Sequence, residues 1–428
     1  MKFRQILAVA AMALGMYCTY AANIPSGADL ATMYDYFYYR DSGTTTRAMH
    51  ALNNSGEYTL SADKVWSALY VGVELAEPAI LNLCGRTLTV NGCDSNQARP
   101  LVGHNNTTLV ISNGTFKTVY DPEAYPWTST SVEEKYYSQR RGIFLSRNSD
   151  SAVGSRLIVA NGGKLILDGG DAKVAWKGGG HSLIVESGGE FDGQLGFSSG
   201  NDNRYVFKNG SAFTKISRYV SKSGEFPVGF AFRSVTNNVV EICDQKILAD
   251  AGVSALTPDA GGNTTSFRSG LCLRGSDIAI TNSIANFSCG KDTAALLELR
   301  DGAKLWVSNA VMLGTRPTGS GAMMLVDGVG SAVRFLLPSA LYAGYVGMQT
   351  NTTDVVLRLS NGATVDALGK YFSVGSAAGS NSNLIEVLSG SHFAASPLNI
   401  GSSSNYCNRV VVSGEGSTMT NSHNWLCS

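Results

Sequence analysis

The chain has 428 residues, with 33 basic and 33 acidic side chains and a formal net charge of zero. That balance excludes the Lys/Arg excess on which a dedicated nucleic-acid binder depends. A hydrophobic content of 44% excludes a disordered chain. Charged residues make up only 15%, and the 48 glycines amount to about 11% against about 7% in ordinary domains, a composition of many turns.

At the N-terminus Lys2 and Arg4 precede an apolar stretch from Ile6 to Met16 and the small residues Ala21 and Ala22. This is the layout of a secretory signal peptide over residues 1–22, with cleavage after Ala21 or Ala22. The stretch is marginal for a membrane anchor, which needs about 20 apolar residues. Bulky Tyr17 before Cys18 argues against a lipoprotein signal. No later run is long and apolar enough to span a bilayer, so the expectation is an extracellular or cell-surface protein with no transmembrane segment after signal removal. Seven cysteines then remain: Cys84, Cys93, Cys243, Cys272, Cys289, Cys407 and Cys427. They show no CxxC and no Cys/His pairing at zinc spacing, and the sequence points to no metal and no cofactor.

Residues 23–80 hold the aromatic run Tyr34-Asp35-Tyr36-Phe37-Tyr38-Tyr39-Arg40 and read as an N-terminal cap region. From residue 81 a unit recurs in which a short apolar run leads into Asn/Asp/Ser-Gly and a second short run. The turn glycines Gly162, Gly188 and Gly210 stand 26 and 22 positions apart, and Gly302, Gly328, Gly362, Gly390 and Gly414 stand 26, 34, 28 and 24 apart. An apolar residue followed by glycine runs in phase with the second series at Leu313-Gly314, Val346-Gly347, Val374-Gly375 and Ile400-Gly401. Two turns per period require at least two strands per period, and runs of three to six residues are too short for helices. Asn-Gly between such runs also suits antiparallel hairpins. A period near 25 residues favours parallel coils, because each coil returns the chain to one angular position a strand spacing further along.

The expected fold is therefore all-β: a right-handed parallel β-helix, or β-solenoid, with an N-terminal cap and loop insertions. Its parts are a first solenoid part at 81–215 with an insertion at 117–142, an irregular segment at 216–270, and a second solenoid part at 271–428 without a visible cap. Gly362, Gly390 and Gly414 are expected at equivalent corners. At the end, Trp425-Leu426-Cys427 supplies an apolar strand before Ser428. Either the chain is a piece of a longer repeat protein or its open end pairs with another molecule, and both lead to self-association through the C-terminal coil.

Leu81-Asn82-Leu83-Cys84-Gly85-Arg86-Thr87-Leu88 resembles the opening strand motif of bacterial right-handed parallel β-helix proteins. Leu359-Ser360-Asn361-Gly362-Ala363-Thr364-Val365, Val374-Gly375 and Gly416-Ser417-Thr418-Met419-Thr420-Asn421 resemble the repeats of autotransporter-associated and PEP-CTERM-associated proteins. The resemblance implies a secreted or surface-displayed solenoid, often adhesive.

Candidate chemistry is sparse. The insertion gathers Asp121, Glu123, Tyr125, Trp127, Tyr136 and Tyr137, a mixture suited to stacking on and hydrogen bonding to glycans or cell-surface components. Asp168 and Asp171 have a carboxylate pair's proximity, as glycoside hydrolysis requires, but read more simply as turn residues. His181 follows Gly178-Gly179-Gly180 without the remainder of a calcium repeat. Cys243 and Cys272, 29 positions apart, are close to one coil in spacing and form a disulfide candidate. The leading function is a structural or adhesive, non-catalytic solenoid. The alternative is a carbohydrate-active or carbohydrate-binding β-helix protein.

Overall fold

The computed structural model describes residues 22–33, 50–90, 101–119, 143–145, 153–197, 202–243, 270–307, 310–421 and 424–426, with breaks of at most six residues inside these ranges. The described residues form an all-β protein of parallel sheets, with helix confined to short 3-10 turns such as Leu30–Thr32. A 13-stranded sheet runs the whole described length, from Gly56–Thr59 to Arg409–Ser413. A 12-stranded sheet accompanies its first half, and two six-stranded sheets accompany its second half. Through the second half each strand pairs in parallel with the third strand after it. Met323–Asp327 pairs with Val356–Ser360, Ala332–Phe335 with Thr364–Asp366, and Tyr342–Val346 with Tyr371–Val374.

Strict register is what the alternating apolar pattern demands. A one-residue slip would turn every buried side chain outward. One inward row of the long sheet runs Tyr58, Leu81, Ile111, Val159, Val185, Phe207, and then, after Ile242, Leu273, Leu299, Val326, Leu359, Val387 and Val412. From Tyr58 to Val387 its described side chains are at most 1% exposed, whereas Val412 is 42% exposed. Edge-to-face pairs fill the core where aromatics meet, Phe191 with Phe207 at 5.8 Å and Phe372 with Phe393 at 5.2 Å.

The apolar-Gly marker has a structural counterpart. Leu313, Val346, Val374 and Ile400 are partners in successive strands, and their glycines have φ of 61°, 71°, 66° and 80°. The Asn/Ser-Gly signature covers two turn geometries. In the first half Gly162, Gly188 and Gly210 alone are left-handed, while in the second half Asp301-Gly302, Asn361-Gly362 and Ser389-Gly390 are left-handed at both residues. Gly362, Gly390 and Gly414 all lie in the turn that leads from the long sheet to the same six-stranded sheet, Gly362 and Gly390 at the same position in it and Gly414 at a different one. The last turn has one extra residue between Ser413 and Thr418, so Gly416 lies against Gly390 and Gly414 against Ser389.

Three boundaries move. Strands at 50–82 already belong to the parallel sheets, so the covering region is shorter than 23–80. Residues 27–29 also run in parallel beside Gly56–Thr59, bridging Asp29 to Thr59, and Ile24 and Leu30 are buried. Lys117 and Thr118 lie in the strand Gly114–Thr118, inside the expected insertion. The segment 216–270 contains an antiparallel hairpin, Arg218–Ser221 with Gly224–Pro227, and the strand Val239–Cys243, which carries the long sheet across it.

Candidate functional site

Alternation along each strand sends every second side chain outward, so parallel register lines up outward rows as strictly as inward ones. On the long sheet one such row contains Glu241, Cys272, Glu298, Leu325, Arg358 and Glu386, and the row beside it Cys243, Arg274, Arg300, Asp327 and Ser360. Opposite charges meet along and across the two rows. Arg274 lies 3.2 Å from Glu241, Arg300 lies 3.0 Å from Glu298 and 3.6 Å from Asp327, and Arg358 lies 2.5 Å from Glu386. Asp327 also accepts hydrogen bonds from the Ser360 hydroxyl at 2.6 Å and the Asn361 amide at 2.8 Å. The hydrogen bond to Glu298 holds the Arg300 guanidinium above its ordinary range. These partly exposed pairs neutralise one another and contribute little stability, about 0–1 kcal/mol each. The result is an ordered, charge-balanced face.

Cys272 sits in the middle of it. Burial pushes its thiol up to about 12, opposed by the smaller effect of Arg274 and reinforced by Glu298. Burial does the same to Cys289, which lies in the core. No disulfide joins Cys243 and Cys272, the expected pair. Cys272 pairs in register with Glu241, and Cys243 with Arg274, so the two thiols are two positions out of step although their strands adjoin.

The six insertion residues Asp121, Glu123, Tyr125, Trp127, Tyr136 and Tyr137 lie outside the described residues, as does the aromatic run at 34–40. Asp168 and Asp171 fall within the strand Gly163–Val174, at a shift of register between Ile166 and Asp171, and not in a turn between strands. No group of three or more His, Cys, Asp or Glu side chains that could hold a metal ion occurs among the described residues. An outward aromatic does occur on the first C-terminal sheet, where Trp306, Arg334 and Asp366 are register partners and the Arg334 guanidinium lies 5.6 Å from the indole centroid.

What sequence reasoning missed is a polar ladder at one buried corner. Thr107, Ser155, His181 and Asn203 occupy it in the first half, and Asn383 and Asn408 in the second, with Thr107, Ser155, His181, Asn203 and Asn383 at 0% exposure. Each bond joins one strand entry of the long sheet to that of its neighbour. The Ser155 N–H donates to Nδ1 of His181 at 3.0 Å, the His181 N–H to Oδ1 of Asn203 at 2.9 Å, the Val355 N–H to Oδ1 of Asn383 at 3.1 Å, and the Asn383 N–H to Oδ1 of Asn408 at 3.0 Å. A buried backbone donor needs such a partner. The marker glycines make room for the asparagines: a Cβ at Gly347 would overlap the Asn383 carboxamide, and one at Gly375 that of Asn408. His181 is thus a core residue that accepts through Nδ1. The signal that could have found this corner is a polar residue just before the strands that begin at Thr108, Arg156, Ser182, Arg204, Leu384 and Arg409.

Comparison of the chain with protein-family models, with curated proteins and with solved structures finds no match.

Proposed function

We propose that the parallel sheets wind as one right-handed β-solenoid, exported by the signal peptide and displayed outside the cell or on its surface, in a structural or adhesive role without catalysis. The observation that carries this reading is the single register kept by the long sheet over 13 strands. Such a ladder produces length, about 58 Å at a strand spacing of about 4.8 Å, and a regular outer face. The repeats that resemble autotransporter-associated and PEP-CTERM-associated proteins support the same reading, and the charge-balanced rows around Arg300 and Arg358 suit a solvated stalk.

A second reading is favoured by Trp306 with Arg334 and Asp366. An outward indole beside a cation, with a carboxylate one strand beyond it, is the chemistry of sugar contact, and with the aromatic insertion at 117–142 it makes carbohydrate binding or a carbohydrate-active β-helix the alternative. A screen of the protein against plant, algal and bacterial polysaccharides separates the two. The absence of both retention and products supports the structural reading, and retention without new reducing ends or unsaturated products supports carbohydrate binding. Product formation establishes an enzyme and overturns the non-catalytic reading.

A further inference from the structure

On the outer face of the long sheet the arginines are paired with carboxylates, Arg274 with Glu241, Arg300 with Glu298 and Asp327, and Arg358 with Glu386. Arg334 is different. It belongs to the six-stranded sheet that contains Lys304–Val307, Ala332–Phe335 and Thr364–Asp366. Its side chain is exposed, and among the described residues it has no ion pair or hydrogen bond, only the indole of Trp306 at 5.6 Å. Register sets the surroundings. Lys304, two positions before Trp306 in the same strand, shares its outward side, and Asp366 is one strand beyond Arg334. In the row beside them Ala332 stands between Lys304 and Thr364. Ala332 is only 5% exposed although its row faces outward, so the longer side chains around it rise above its methyl group and leave a shallow dip.

We infer that this dip is a subsite for a carboxylate-bearing sugar, a uronate unit of an acidic polysaccharide, with Arg334 holding the carboxylate and Trp306 meeting the ring. The inference rests on the carbohydrate-binding reading and names the class of glycan for it. A guanidinium beside an aromatic ring keeps its N–H donors in the plane of its fork, where they match the two oxygens of a carboxylate. The indole offers a flat apolar surface to the C–H face of a sugar ring. Charge favours an anion as well. Lys304 and Arg334 outnumber Asp366, and Asp366 lies on the side of Arg334 away from Trp306 and Lys304, so an approaching carboxylate meets the two cations first. The arginines of the long sheet do not compete for it, since each already holds a carboxylate that the ligand would have to displace.

The test is affinity electrophoresis of the full chain through gels that hold polygalacturonate, alginate, fully methyl-esterified polygalacturonate, neutral galactan or poly-L-glutamate, with circular dichroism on every variant. The two polyuronates should retard the chain most, and less as salt is added. Arg334→Gln alters an exposed side chain and should raise the dissociation constant at least about tenfold, Trp306→Ala by a similar factor, and Arg334→Lys, which keeps the charge but loses the fork, by less. Arg204→Gln, at an exposed arginine of the long sheet, should leave it unchanged. Retardation by the esterified or neutral polymer that equals that by the polyuronates, or retardation that Arg334→Gln does not weaken, overturns the inference and leaves carbohydrate binding standing. Equal retardation by poly-L-glutamate overturns the sugar as the ligand. No retardation by any polysaccharide overturns the inference and the carbohydrate-binding reading together.

Discussion

Asn383 offers the sharpest perturbation of the corner ladder. Its side chain is fully buried. Oδ1 accepts from the Val355 N–H at 3.1 Å, and Nδ2 donates to Asn408 Oδ1 and Ser380 Oγ at 3.0 Å and to the Thr352 carbonyl at 3.3 Å. Asn383→Ala leaves the Val355 N–H without its acceptor, at about 1–3 kcal/mol, and removes hydrogen bonds to three further groups at about 0.5–1.5 kcal/mol each. Partial relief by rearrangement brings the expected loss to about 4 kcal/mol. Asn383→Asp keeps the acceptor but sets a carboxylate beside Asn408 Oδ1. Burial would raise its folded-state pKa above the unfolded value near 3.9, so this variant should be closest to the parent below about pH 4 and lose stability as the pH rises. Urea unfolding followed by circular dichroism, with hydrogen exchange at the Val355 amide, reads both effects. A loss below about 1 kcal/mol for Asn383→Ala, or a pH dependence of the opposite sign for Asn383→Asp, would refute the ladder as a structural element.

Alkylation at pH 8 without denaturant should mark the exposed Cys84 and Cys407 and spare Cys272 and Cys289, whose thiols burial pushes up to about 12. Rapid labelling of Cys272, read by peptide mass spectrometry, would show that the outer face opens. Hydrogen bonds from Ser61 and Ala31 hold the Asp29 carboxyl below its ordinary range, so its contribution to the N-terminal cover is present above about pH 4 and is lost as the pH falls through the lower folded-state value. Protection of the Ser61 and Ala31 amides should fall at pH 3 relative to pH 5, and constant protection would contradict that role. Gly344→Ala should cost about 1–3 kcal/mol, because a Cβ there would overlap the Phe372 ring that packs on Phe393. An unchanged urea midpoint would show that the ring has room to move.

Sequence carried most information where local chemistry and register coincide. Leu313-Gly314 and its three successors were legible because a left-handed corner selects glycine and a stacked interior selects a branched apolar partner. Register across a long connection was not legible. Cys243 and Cys272 have one coil's spacing, yet Glu241 stands opposite Cys272, since the length of the intervening segment does not fix how the next strand aligns. Gly414 shares the corner of Gly390 but not its position, for a related reason, one added residue in the turn. The ladder of His181, Asn203, Asn383 and Asn408 was hidden because a polar residue before a strand looks the same whether its side chain faces water or the N–H at the start of the neighbouring strand. Trp306 with Arg334 escaped notice because register alone makes them neighbours.

The central claim is that successive circuits stack along one axis. Spin labels on a single outward row measure this directly, in a chain whose exposed cysteines are replaced by serine. Val206 and Leu325 are separated by four steps of register and Val206 and Val411 by seven. At about 4.8 Å per step the backbone separations are about 19 Å and about 34 Å. Distances by double electron–electron resonance that lengthen in that proportion are the predicted result. Distances that fail to grow with the number of steps would contradict the stack and the solenoid reading built on it.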